Sequence, residues 1–236
     1  MKNITRKIIS NFWIIKYILP TIYFNFHYLP FAQAIKLPIL LYKPKFLACK
    51  GKIIISGGVK TGMIKLGSNR VALYPNNGIC FENRGVIVFQ GNCTIGMNSF
   101  ISIAPSGKVV FGDGFVASNS LKLASYCNIE FGKNVSVGWE CLFTDTDFHR
   151  ITMLDGSKSP TAYGQILIGD NCWFGFKNII MKNTRIPNKC IISANSLVNK
   201  NYDVPECSLL AGQPAKLRKT GMWRNLEDDI ISYDNQ

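Results

Sequence analysis

Apolar residues return every six positions through the last third of the chain: Ile168, Phe174, Ile180, Ile186, Ile192 and Val198. The fifth place of each unit is small or polar (Cys172, Asn178, Thr184, Cys190, Ser196), with Tyr202 the exception at the end. Earlier pieces keep the rule: Phe131, Val137 and Phe143; Phe111, Ala117, Leu123 and Ile129; Phe89, Ile95 and Ile101. Two-residue slips, as from Ile129 to Phe131, interrupt them. A period of six suits neither an amphipathic helix nor plain strand alternation. It suits a short strand followed by a turn. Three such units make an 18-residue triangular coil, and coils stack about 4.8 Å apart as parallel strands do. The expected fold is therefore all-β, a parallel β-helix with the repeating aliphatic pointing inward. Gly, Asn and Asp at the second to fourth places supply the corners.

The period breaks once. After Phe143 the next clean unit starts at Ile168, so residues 144–165 must leave the coil as a loop. That loop carries DTDFHR, and within it His149, one of only two histidines. Loops held on a rigid scaffold often carry function. The other histidine, His27, sits in the aromatic stretch YFNFHYLP, where packing is the expected role. Of eight cysteines, Cys93, Cys127, Cys141, Cys172 and Cys190 fall at the fifth place and read as small core-facing residues. None forms a C-x-x-C pair, and two histidines cannot make a three-His site, so no metal is expected.

Charge is unevenly placed. The net charge is +13, yet residues 1–81 hold 12 Lys/Arg and no acid, while the remainder is nearly balanced. Such a region attracts phosphates, acidic polymers or an anionic membrane surface. Lys16 and Pro20 cut the apolar stretch that a signal peptide would need, and residues 17–35 hold Pro20, Asn25, His27, Pro30 and Gln33, a poor spanning helix. The cysteines are accordingly expected to be reduced cytoplasmic thiols. Three zones follow: a basic aromatic segment 1–48, the repeat region 49–203, and a tail 204–236 with a short helical end near Leu226 to Ile231. A β-helix end exposes unpaired edges, so the first zone is expected to form a helical cap with its lysines in water. The alternatives are steering of an acidic glycan and peripheral contact with the inner face of the membrane.

The hexapeptide units, the His-bearing loop with DTDFH, W-x-G at Trp173–Gly175 and AGQPAKLRK at Ala211–Lys219 together resemble the left-handed β-helix acyltransferases. The likeness is greatest to the O-acetyltransferases of capsule and lipopolysaccharide synthesis, and it spans roughly residues 50–220. It implies the left hand, which spacing alone does not give. It implies acetyl-CoA as co-substrate and a homotrimer with its sites at subunit interfaces. His149 falls at the family's general base, suited to taking a hydroxyl proton and returning it to a thiolate. Asp147 or Asp145 would orient that imidazole or cap a turn. Trp173 lies 24 residues after His149, as in the family, where its unit lines the thioester site and its indole N–H can meet an oxyanion.

By the same likeness, Gly175, Phe176 and Ala194 would meet the pantetheine arm. Asn199 and Lys200 take the place of a Thr-Lys pair that relatives carry at the cofactor, and Lys216 and Lys219 would lie toward the nucleotide phosphates. Tyr126 and Asp145 would face the acceptor, and Trp139, which precedes the loop, is either a packing aromatic or a wall on which a sugar stacks. Relatives acting on free galactosides carry an acidic residue where Tyr126 stands, which argues against a small free galactoside. The expected reaction is O-acetylation of a bacterial surface polysaccharide or its precursor, with an acidic or neutral glycan as acceptor. The motif serves N-acetylation of an amino sugar equally, and a non-catalytic solenoid binding polyanions or membranes is the reading from another class. No base-reading motif accompanies the basic stretch, so no nucleic acid is expected.

Overall fold

A computed structural model describes residues 16–68, 73–158 and 161–228, and within them the chain winds into a three-sided prism. From Ile39–Leu41 to Leu197–Val198 the strands pair in parallel with the third strand before or after them, which yields three faces, and the first face ends in the strands Leu209–Gly212 and Ala215–Lys219. The first face holds nine strands, from Ile39–Leu41 to Ala215–Lys219; the second holds seven, from Pro44–Cys49 to Leu197–Val198; the third holds six, from Lys52–Ile55 to Thr184–Ile186. The predicted inward positions are inside: Ile168, Phe174, Ile180, Ile186, Ile192 and Val198 are all buried. So are the fifth-place Cys172, Asn178, Thr184, Cys190 and Ser196, and Tyr202 as well.

The turns explain the corner composition. Asn98, Ser120, Asn134, Glu140, Asn171, Lys177, Asn183, Lys189 and Asn195 share φ between 54° and 63°, each at the fourth place of its unit. That conformation suits Asn best after Gly, yet Glu140, Lys177 and Lys189 also adopt it. The two-residue slips lengthen the strands of the third face. Ile87 and Phe89, Val109 and Phe111, Ile129 and Phe131 all point inward from the strands Val86–Phe89, Lys108–Phe111 and Asn128–Phe131. Side chains alternate with period two, so adding two residues keeps the inner side inside. Phe89, Phe111 and Phe131 then stack along this face, with ring centroids 5.3 and 5.6 Å apart.

The prism begins earlier than residue 49. Ile39–Leu41 and Pro44–Cys49 already belong to it, although neither follows the six-residue rule. Its first edge is covered by the helix Ile18–Tyr28. The buried Asn25 accepts from the Ile39 amide and donates to the Ile39 carbonyl, while the Leu41 amide donates to Thr21 Oγ1. These side chains do the work of a further strand. His27 stacks on Tyr23 at 5.6 Å and donates from Nε2 to the Cys49 carbonyl, a packing role as expected. Lys2, Arg6 and Lys7 lie outside the described residues. At the other end, Leu209–Gly212 folds back antiparallel onto Ala215–Lys219, and Leu226–Asp228 forms one 3-10 turn.

All eight cysteines are free thiols. Cys93, Cys141, Cys172 and Cys190 are buried, but Cys127, whose amide donates to Asp145 at the root of the loop, is only half-buried. Burial pushes the Cys141 thiol from 9.0 up to about 11 and that of Cys172 up to about 12. The unfolded chain ionises these thiols first. The stability they contribute is full below about pH 9 and is lost as pH rises toward their folded values. Melting temperature is expected to fall over that window, with a shallower slope in the Cys141→Ala/Cys172→Ala double variant. Asn25→Ala leaves the Ile39 amide and carbonyl unpaired. Denaturant titration is expected to show a loss of about 2–4 kcal/mol, with a greater tendency to aggregate.

Candidate active site

The loop leaves the prism after Leu142–Thr144 on the second face and returns at Ile166–Ile168 on the third. The stack is continuous across it: Ile129 pairs directly with Ile166, and Phe131 with Ile168. The loop is stitched to the corner between these faces. Asp145 is fully buried, and its carboxylate accepts from Ser125 Oγ at 2.8 Å, the Tyr126 amide at 2.6 Å and the Cys127 amide at 2.9 Å. Gly164 donates to the Asp145 carbonyl, and Thr146 bridges Tyr163 in antiparallel fashion. Asp147 forms an ion pair with Lys182 Nζ at 2.6 Å.

Asp145 thus anchors the root of the loop, with its carboxylate turned to these three donors. Asp147 faces Lys182, with both side chains partly exposed. His149 itself is exposed, and among the described residues its ring has no hydrogen bond. It follows Phe148, which has φ of 62° and whose amide donates to Thr146 Oγ1 at 3.0 Å. A positive φ on an aromatic residue is costly, and here it sets the chain direction at the histidine. Tyr126 meets the Phe148 ring edge-to-face at 5.5 Å, so the expected acceptor residue does lie at the base of the His149 loop. Asn199 and Lys200, exposed after Leu197–Val198, stand on this same corner.

Trp173 is elsewhere. It points outward from the first face, between Ser136 and Ile191 in register, and the Arg224 guanidinium lies 5.4 Å from its ring centre. In a three-sided prism that face is opposite the corner carrying His149. Lys216 and Lys219 are exposed on the hairpin that extends the first face. Gly175, Phe176, Ala194 and Trp139 line the corner between first and second faces. The corner is tight: a Cβ on Gly175 would sit 2.7 Å from the Ala194 nitrogen.

The corners differ in how they treat their amides. Between the third and first faces, Lys133 N–H donates to Asp170 Oδ1 at 2.7 Å and Asp170 N–H to Asn188 Oδ1 at 2.8 Å. Phe176 and Ala194 hold the equivalent third place between the first and second faces. There, among the described residues, neither N–H has an acceptor. Two donors in a row are left for a ligand, which fits a group carrying amide carbonyls. Sequence reasoning missed the neighbours of Trp139. Tyr74 lies 6.4 Å from its ring and donates to Glu140 Oε1 at 2.6 Å, a bond that pushes the phenol up to about 12 and, with Lys177 nearby, holds the Glu140 carboxyl low. Only Glu140 was visible in the VGWE segment; nothing in the sequence points to Tyr74 as its partner.

No family model matches the chain. A protein of the cps region of Klebsiella pneumoniae, of 24.8 kDa and uncharacterized, is 33% identical over 168 residues, covering 70% of this chain and 73% of its own. WbbJ of Escherichia coli (strain K12), provisionally described as a lipopolysaccharide biosynthesis O-acetyl transferase, is 26% identical over 159 residues, covering 64% and 78%. The solved structure of NeuO, a polySia specific acetyltransferase, superposes with a TM-score of 0.59 over 79% of this chain and 74% of that one, at 20% identity, which speaks for the fold alone. The hexapeptide coils, the His-bearing loop and these relatives agree: the chain belongs to the hexapeptide-repeat acyltransferases, and its prism is their left-handed β-helix.

Proposed function

We propose that the protein is an acetyl-CoA-dependent O-acetyltransferase for a hydroxyl of a bacterial surface polysaccharide or its precursor, acting as a homotrimer with its sites between subunits. The observation that carries this reading is the division of the site residues over opposite sides of one prism. His149 and Tyr126 occupy one corner, and Trp173 the face across from it. One chain cannot close a site with both, whereas neighbours around a closed ring bring the corner of one against the face of the next. The open Phe176 and Ala194 amides suit the carbonyls of a pantetheine arm, and the exposed Asn199, Lys200, Lys216 and Lys219 suit its phosphates. The cps-region relative and WbbJ favour a cell-surface glycan as acceptor. Eight free thiols favour work in the cytoplasm, where they stay reduced.

In this reading His149 takes the proton of the acceptor hydroxyl as its oxygen attacks the thioester carbon. It passes that proton to sulfur as the C–S bond breaks, so an acetyl ester and free CoA leave. The indole N–H of Trp173 from the partner subunit faces the oxyanion that forms between these steps. Tyr126 and Phe148 give the acceptor an apolar wall with a hydroxyl at its edge. Neither is charged, which suits a sugar better than a cation.

Thiol release from acetyl-CoA, followed with capsular and lipopolysaccharide oligosaccharides, tests the chemistry. His149→Ala is expected to lower turnover about 10²–10⁴-fold while the trimer persists in sedimentation. Mixing tests the assembly. His149→Ala and Trp173→Ala chains, each inactive alone, are expected to regain about a quarter of wild-type activity when co-folded, because a mixed interface can pair an intact histidine with an intact tryptophan. No recovery, with mixed trimers present, would place both residues in one chain's site. Acetylation of amino sugars alone would replace the ester product by an amide.

A further inference from the structure

We propose that the capped end of the prism docks on an anionic lipid bilayer. The helix Ile18–Tyr28 is apolar on two sides. One side, with Thr21, Phe24 and Asn25, is buried on the first strands. The other presents Leu19, Ile22, Tyr23 and Phe26, with exposures of 38% to 75%. Their spacing of three, four and seven residues sets them on one stripe. The short helix Phe31–Ala34 continues the stripe, with Phe31 71% exposed and packed 5.9 Å from Phe26, and Ile35 60% exposed just beyond it. Six large apolar side chains in one run are more than a soluble surface ordinarily leaves in water.

Charge names the occupant. Lys16 and Lys36 are exposed at the two ends of the helical pair, and Lys43 and Lys45 are exposed on the coil beneath. No acid occurs before Glu82. An apolar stripe rimmed by lysines matches a headgroup layer over acyl chains. The helix has 11 residues, about 16 Å, which suffices to lie in the interface and is too short to cross. Among the described residues no helix is long and apolar enough to span a membrane. A second copy fits worse, since two such faces would bring lysine against lysine with no acid between them. A polyanionic glycan would use the lysines but leave the apolar stripe wet.

Co-sedimentation of the full chain with phosphatidylcholine vesicles, with and without phosphatidylglycerol, tests this. The vesicles containing phosphatidylglycerol are expected to retain the protein. Lys16→Gln and Lys36→Gln are each expected to weaken partitioning about fivefold. Leu19→Ser with Phe26→Ser is expected to weaken it about tenfold or more, with the melting temperature unchanged. Absent vesicle binding, or binding that ignores the Leu19/Phe26 pair, overturns the proposal. So does larger self-assembly that this pair abolishes, or dextran sulfate capturing the protein while vesicles do not. None of these readouts depends on acetyl transfer, so the proposal stands or fails apart from the catalytic reading.

Discussion

Parallel pairing between equivalent strands one coil apart is the constraint on which the molecule depends. It fixes Ile166 over Ile129 and under Thr184, and with them every inward column. The side chains need only satisfy their counterparts above and below, so the core is a set of ladders and has no separate centre. That is why phenylalanines can stack along the third face while the coils toward the tail use smaller residues. Parallel ladders also explain the tolerance to insertion. Two residues added to a strand preserve which side faces in, and a whole loop added at a corner leaves both flanking strands paired.

Much of this was legible in the sequence because the signal is periodic. A six-residue rule repeated from Phe89 onward leaves little freedom, and its one long gap marks the loop between Thr144 and Ile166. The first coil escaped because Pro44, Lys45 and Phe46 do not repeat anything; it is recognisable only through its pairing with Ile79–Asn83. Cys127 was misjudged for a similar reason. Its place in the count is the same as that of Cys141, but it stands at the root of the loop, where its amide donates to the Asp145 carboxylate and its side chain stays half-exposed.

The site was less legible, since the sequence names residues and leaves their sides of the prism unknown. His149, Trp173 and Phe176 are named by the motifs, and only the structure distributes them over a corner, the opposite face and another corner. The two aspartates beside His149 looked like its partners by proximity alone. In the structure Asp145 is buried at the loop root and Asp147 pairs with Lys182, contacts that chain proximity does not reveal. The resemblance alone pointed to Phe176 and Ala194; that their amides are open follows from the contrast with a corner where Asp170 and Asn188 side chains accept from the equivalent amides.

The stitching of the loop has a consequence for how such proteins diversify. One buried carboxylate and one carbonyl at Asp145 fasten both ends of the excursion to a coil whose strands pair as if it were absent. The span between those fasteners is therefore a cassette. Its length and lining can be exchanged while the scaffold beneath retains its fold, so the surface the loop presents can drift without any renegotiation of the core.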